Sequence, residues 1–154
     1  MKTKKFALEN LAETKRLAEV FSKYFVSHAR VYLSGDLGSG KTTLVQAFMK
    51  AIGYEGKVIS PTFNLIKIYN VDSRIIFHID AYRLGEVKSV FDFEDALYSS
   101  DVITFVEWPE MIEKFLDKGA LEVNLTLENE IHYAQLSSED EQYFSLMTEV
   151  EADF

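Results

Sequence analysis

The chain has 154 residues, of which 47% are hydrophobic and 14% aromatic, which is typical of one globular domain with its own core. It contains no cysteine, so disulfides and thiolate chemistry are excluded and a reducing compartment such as the cytoplasm is favoured. The first residues lack a signal-peptide pattern, and no apolar run approaches the roughly 20 residues of a membrane span. We therefore expect one cytoplasmic domain over residues 1–154, with no membrane partner.

The net charge of −9 is unevenly distributed along the chain. Residues 1–118 carry 16 acidic and 16 basic side chains, whereas residues 119–154 carry nine acidic side chains and no Lys or Arg. Such a surface repels nucleic acid, so we expect no DNA binding. The acidic segment from about 129 to 154 is interpreted as a solvated, partly flexible end. A docking face for a basic protein is the alternative.

The first third of the chain reads as strand, helix, strand and helix. Lys4–Leu8 is a short strand, and Asn10 with Glu13 forms a capping box at the start of a helix. That helix carries apolar residues at helical spacing: Leu11, Leu17, Ala18, Phe21 and Phe25. Ala29–Leu33 is then a short apolar strand, and Thr43–Ile52 is an amphipathic helix.

Between this strand and helix lies GDLGSGKTT, Gly35 to Thr43, a complete phosphate-binding loop. Its fixed positions are Gly35, Gly40, Lys41 and Thr42. The backbone N–H groups and the positive end of the following helix cradle a polyphosphate. Lys41 would neutralise phosphate charge, and the Thr42 hydroxyl would hold Mg²⁺.

The remaining pattern predicts a hairpin, further helices and three more strands. Asn64–Val71 and Arg74–Asp80 flank the turn Asp72-Ser73 and form an antiparallel pair. The other elements are a helix over about 87–98, a strand Val102–Val106, a helix starting at Pro109, and strands Leu121–Leu127 and Ile131–Leu136. The fold class is therefore α/β, a P-loop-type mixed sheet with a parallel core and an antiparallel hairpin, flanked by helices on both faces.

Two acidic residues follow buried strands, Asp80 after Ile75–Ile79 and Glu107 after Val102–Val106. In open α/β sheets the ligand lies beyond the carboxyl ends of the strands. Both carboxylates are therefore predicted to hold Mg²⁺ directly or through water, with a helix cap or surface carboxylate as the alternative.

Three further residues are weaker predictions. Thr62, in Ser60–Phe63, resembles a switch hydroxyl that senses the terminal phosphate, or is an ordinary turn residue. Trp108 is the only tryptophan and is either a core residue packed under the site or a contact for a partner or substrate. His78 shares a strand face with Asp80, and we interpret it as a packed histidine in preference to a base or ligand.

The motifs leave several nucleotide-dependent classes open. A guanine-selective Asn-Lys-x-Asp element is absent, and four arginines are few for the lid of a small-molecule kinase. An ATPase that governs a protein complex fits best. A small-molecule kinase and a non-hydrolysing ATP-binding adaptor remain the alternatives.

Four motifs in this order, GDLGSGKTT, SPTF, HIDAYRL (His78 to Leu84) and VEWPE (Val106 to Glu110), resemble the bacterial TsaE (YjeE) family over about residues 8–115. The resemblance implies a weak Mg-dependent P-loop ATPase acting with the TsaB and TsaD proteins. That complex modifies the adenosine next to the anticodon in tRNAs reading A-starting codons, and tRNA would meet this chain only through the complex.

The resemblance also implies roles for individual residues. Thr42 and Glu107 would hold Mg²⁺, Asp80 would support the metal and the attacking water, and Lys41 and Thr62 would join them in catalysis. Trp108 matches a position tied to catalysis or coupling. Leu11 to Thr14 would pack by the adenine, and ATP would bind through Leu37, Gly38, Ser39, Gly40, Lys41, Thr42 and Thr43.

Overall fold

The computed structural model describes residues 1–58, 66–84 and 94–154, which build a seven-stranded sheet of order β1-β7-β6-β2-β5-β4-β3. The strands are β1 Lys2–Leu8, β2 Ala29–Ser34, β3 Ile66–Val71, β4 Arg74–Asp80, β5 Ile103–Glu107, β6 Leu121–Glu128 and β7 Ile131–Ser138. The α-helices are α1 Leu11–Tyr24, α2 Lys41–Ala51, α3 Glu94–Tyr98 and α4 Phe144–Asp153.

Four neighbouring strands, β6, β2, β5 and β4, are parallel and form the centre of the sheet. Every residue of β5 is buried, as expected of a strand covered on both faces. Antiparallel strands extend the sheet on both sides: β3 pairs with β4, β7 with β6, and β1 with β7. The predicted mixed sheet with a parallel core and a hairpin is confirmed.

Two tight hairpins set the register of the antiparallel pairs. Asp72 adopts a positive φ of 54° in the β3–β4 turn, where the sequence predicted a hairpin. Asn129 and Glu130 have φ values of 52° and 67° in the β6–β7 turn. Two successive positive φ values match the twist of the flanking strands, and Asn tolerates that conformation well.

Helices cover both faces of the sheet, as predicted. On one face α1, α2 and α4 enclose a core whose centre is aromatic, with the rings of Phe25 and Phe48 at 5.9 Å and those of Phe48 and Phe105 at 5.0 Å. On the other face, α3 and the 3₁₀ segment Pro109–Phe115 cover a smaller cluster that includes Ile79 and Val106.

Several element boundaries differ from the sequence expectation. The 3₁₀ segment Pro109–Phe115 replaces the regular helix expected after Pro109, because the backbone of Ile112 leaves helical angles. Helix α3 lies at the end of the helix predicted over about 87–98, and the rest of that prediction falls in residues 85–93, outside the described part. The cap at Asn10 is confirmed, since its side chain accepts a hydrogen bond of 3.1 Å from the Glu13 N–H. Leu11, however, is exposed instead of facing the core.

The acidic segment 129–154 forms β7 and α4. Three of the carboxylates beyond residue 118 pair with lysines of the first 25 residues: Lys4–Glu151 at 2.7 Å, Lys5–Glu128 at 3.1 Å and Lys23–Glu149 at 3.1 Å. Exposed pairs stabilise a fold only weakly, and these three neutralise three of the nine carboxylates beyond residue 118. No helix in the described part of the chain is both long and apolar enough to cross a membrane.

The aromatic centre generates a stability prediction. Phe48→Ala should lower the free energy of unfolding by about 3–5 kcal/mol, because it opens a cavity between two other rings. The matched control is Lys50→Ala on the exposed side of the same helix, which should change stability by less than about 0.5 kcal/mol. Urea unfolding followed by circular dichroism measures both. Equal losses in the two variants would contradict the placement of Phe48.

Candidate nucleotide and metal site at the strand ends

The loop between β2 and α2 is shaped by three glycines with positive φ. Gly35, Gly38 and Gly40 have φ values of 139°, 79° and 108°. A side chain on Gly35 would place its Cβ 2.2 Å from the backbone oxygen of Leu125, so only glycine fits there. Gly40 is the residue that precedes α2, so the loop leads directly into the positive end of that helix.

Lys41 lies folded back over this loop. Its Nζ donates to the carbonyl oxygens of Gly35 at 2.6 Å and Asp36 at 2.9 Å, and lies 4.0 Å from the centre of the Trp108 ring. Burial lowers the pKa of Lys41, while nearby carboxylates, Glu107 foremost, favour the charged form. A desolvated ammonium group among carbonyls is well placed to meet phosphate oxygens.

Glu107 is the centre of the polar contacts at the strand ends, and only 3% of it is exposed. Its two carboxylate oxygens lie 3.1 and 3.0 Å from the Thr42 hydroxyl, which donates to them. The same carboxylate pairs with Nε2 of His78, a residue with no exposed surface. Glu107 therefore links the first turn of α2 to strand β4.

Asp80 and Trp108 complete this edge of the sheet. Register pairs Asp80 with Glu107 across β4 and β5, and Oδ1 of Asp80 accepts from the Tyr82 N–H at 3.0 Å. Trp108 has left-handed angles (φ 59°, ψ 52°), a conformation that costs about 1–2 kcal/mol for a residue with a Cβ. The backbone N–H of Trp108 donates to the Leu33 carbonyl at 3.1 Å. This hydrogen bond fixes the turn that holds the indole over Lys41.

Two adjoining clefts meet at the loop. The first, of about 270 Å³, contains the polar groups above and is lined by Leu37, Gly38, Gly40, Lys41, Thr42, Thr43, Asp80, Glu107 and Trp108. The second, also about 270 Å³, shares Gly38, Gly40 and Thr43 and extends toward α1. It is more apolar, and its further lining includes Leu8, Asn10, Leu11, Thr14, Leu44, Leu125 and His132.

The structure brings together nearly all of the predicted site residues. One cleft holds Lys41, Thr42, Asp80 and Glu107, and the adjoining cleft holds Leu11 and Ser39. Thr62 lies outside the described residues. His78 is fully buried, in agreement with its interpretation as a packed histidine on the strand face of Asp80, but its contact with Glu107 was not predicted. Sequence reasoning also missed four residues that line the second cleft: Leu8, Leu44, Leu125 and His132.

The chain resembles proteins of one family. Residues 8–135 match the family described as threonylcarbamoyl adenosine biosynthesis protein TsaE. Three relatives are each named tRNA threonylcarbamoyladenosine biosynthesis protein TsaE. The Haemophilus influenzae protein is 37% identical over 72% of each chain, and the Rickettsia felis protein 36% over 80% of this chain and 72% of that one. The Bacillus subtilis protein is 32% identical over 80% of this chain and 77% of that one.

A solved structure has the same fold. The crystal structure of YdiB from Bacillus subtilis superposes with a TM-score of 0.79 at 25% identity, over 99% of this chain and 96% of that one.

The loop geometry predicts unequal costs for two glycine replacements. Gly35→Ala should destabilise the protein more than Gly38→Ala, because the first combines a positive φ with a clash against backbone while the second meets nothing within 4 Å. Gly38→Ala should cost about 1–2 kcal/mol from backbone strain alone. Denaturant unfolding of both variants tests this, and equal costs would be inconsistent with the close approach of the loop to β6.

Proposed function

This chain belongs to the TsaE family, and from that premise we propose that it is a Mg-dependent P-loop ATPase acting with the TsaB and TsaD proteins. The complex would threonylcarbamoylate the adenosine next to the anticodon in tRNAs reading A-starting codons. The observation that carries the ATPase assignment is the convergence of Lys41, Thr42, Asp80 and Glu107 in one cleft at the ends of parallel strands.

ATP would occupy both clefts. Its phosphates would lie against the N–H groups of residues 38–43 and the ammonium of Lys41, at the positive end of α2. The nucleoside would enter the more apolar cleft beside Leu11 and Asn10. Leu11 is 74% exposed, so a base bound there would cover apolar surface that the described part of the protein leaves in contact with solvent.

The donors at the strand ends fit a magnesium ion. Mg²⁺ prefers hard oxygen ligands, and it commonly combines one or two protein oxygens with phosphate and water. Thr42 and Glu107 offer a hydroxyl and a carboxylate that already lie within 3.1 Å of each other. These two residues would hold the ion, which when bound supplies positive charge to the transferring phosphoryl group.

The residues of the cleft would each have a separate role in hydrolysis. Lys41 would neutralise charge on the terminal phosphates, and Asp80, next to Glu107 across the strand pair, would orient the attacking water. Trp108 would close the side of the cleft above Lys41 and exclude water from it. Thr62 is proposed to act with them through its hydroxyl.

Dependence on partners is supported by the surface around the clefts. The loop tip Leu37 is 91% exposed, and Tyr82 beside Trp108 is 58% exposed. Large apolar side chains grouped around a site are typical of a surface that a partner covers. We propose that the TsaB–TsaD pair covers this surface in the cytoplasm, and that tRNA reaches the chain only through those proteins because the chain carries a net charge of −9.

A steady-state ATPase assay with and without purified TsaB and TsaD tests the function. We expect slow hydrolysis by the chain alone and faster hydrolysis with the pair. Glu107→Ala and Asp80→Ala should lower turnover in that complex by at least about 100-fold while changing nucleotide affinity less, because their effect is on positioning and transition-state charge. Turnover that needs a small-molecule acceptor would favour a kinase, and tight binding without turnover in any mixture would favour an adaptor.

Nucleotide binding depends on the lysine of the loop. Lys41→Ala should weaken ATP affinity by at least about tenfold, because a charge-assisted hydrogen bond contributes about 1.5–3 kcal/mol. Isothermal titration calorimetry measures the affinity, with Lys50→Ala on the same helix as the control. Thermal unfolding of Lys41→Ala checks that the loop remains folded. An unchanged affinity would overturn the assignment of the loop.

A further inference from the structure

His78 is buried beside the candidate metal site. It lies on β4 two residues before Asp80, and therefore on the same face of the strand. In the register of β4 with β5 it stands opposite Phe105, one inward-facing position before Glu107. Its Nε2 reaches along the sheet to Oε2 of Glu107.

The chemistry of this contact fixes which group donates. An ionised carboxylate only accepts hydrogen bonds, so Nε2 carries the proton and donates it to Glu107. Nδ1 is buried as well, and within residues 1–58, 66–84 and 94–154 it meets no hydrogen-bond partner. The bond to Glu107 is therefore the polar contact that orients the ring in the described structure.

Packing alone does not account for a histidine at this position. An apolar side chain of similar volume would fill the space without desolvating two ring nitrogens, one of which the described residues leave unpaired. Compared with such an apolar side chain, the imidazole supplies one additional group, a donor aimed at one oxygen of Glu107. The contact therefore indicates that His78 acts on the site through the Glu107 carboxylate.

We propose that His78 is a positioning residue for hydrolysis: its Nε2–H holds the Glu107 carboxylate so that the oxygens facing Thr42 stay directed at the magnesium site. This inference rests on the proposed function of Glu107 as a magnesium ligand. Hydrogen-bond partners of metal ligands orient the ligand, and their loss commonly lowers metal affinity or activity by about 10- to 100-fold. The loss of His78 should fall in that range.

Two substitutions separate the hydrogen bond from the space it occupies. His78→Gln places an amide donor at about the reach of Nε2, whereas His78→Asn is shorter and cannot reach Glu107. His28→Leu is the matched control. His28 directly precedes the first residue of β2, whereas the phosphate loop follows the last residue of that strand. Thermal unfolding of every variant confirms that it folds.

Two quantities are measured in each variant: kcat in the TsaB–TsaD complex, and the ratio of ATP affinity in Mg²⁺ to that in EDTA for the chain alone. His78→Asn should lower kcat and the Mg²⁺-dependent ratio by about 10- to 100-fold and leave affinity in EDTA within about threefold of the parent. KM for ATP in Mg²⁺ should rise in step with the affinity lost there, because KM approaches the dissociation constant when hydrolysis is slow. His78→Gln should recover most of both losses, and His28→Leu should match the parent.

A double variant tests whether the effect passes through Glu107. In a Glu107→Gln background, adding His78→Asn should cost less than about threefold further, because the carboxylate that His78 positions is already gone. Losses that multiply independently would overturn the proposal, as would parental behaviour of His78→Asn or no difference between Gln and Asn. If the parent shows no hydrolysis with its partners, the proposed function fails, and the Mg²⁺-dependent binding ratio still decides the role of His78.

Discussion

The buried carboxylate of Glu107 is the constraint on which the site depends. A charge with 3% exposure needs partners, and removing one partner from a buried pair costs about 3–5 kcal/mol. Among residues 1–58, 66–84 and 94–154, Glu107 has two hydrogen-bond partners, the Thr42 hydroxyl on α2 and the His78 imidazole on β4. The carboxylate therefore couples the loop helix to the sheet, and a shift in either element would break its contacts.

The parallel register of the central strands makes this coupling possible. Leu33, Asp80 and Glu107 lie side by side on β2, β4 and β5, so the loop, the carboxylates and the Trp108 turn all start from one edge. The second cleft is built differently, from α1, β1, β6 and β7 packed around the same loop. The cleft proposed for the phosphates, which belongs to the parallel core, thus meets the cleft proposed for the nucleoside, which includes strands of the antiparallel extension.

Much of this was predictable because the signals are local. The glycine spacing of the loop, the cap at Asn10 and the turn at Asp72 each depend on neighbouring residues, and the structure confirms their placement. The prediction failed for the segment after Pro109, where Trp108 leads the chain into a 3₁₀ turn. It also missed the contact of His78, because a strand pattern shows which face a side chain occupies and not which group on the next strand it touches.

The sequence by itself determined the phosphate loop, the parallel core with its hairpin, and the strand ends that carry Asp80 and Glu107. Its four motifs identified the family, and the comparisons confirm it. Only the tertiary structure decided the strand order that pairs β1 with β7, the intrachain pairing of acidic side chains with Lys4, Lys5 and Lys23, and the network around Glu107. These features join residues 29 to 147 positions apart in the chain. Contacts at that separation depend on how the helices and strands pack against each other, so no local sequence pattern predicts them.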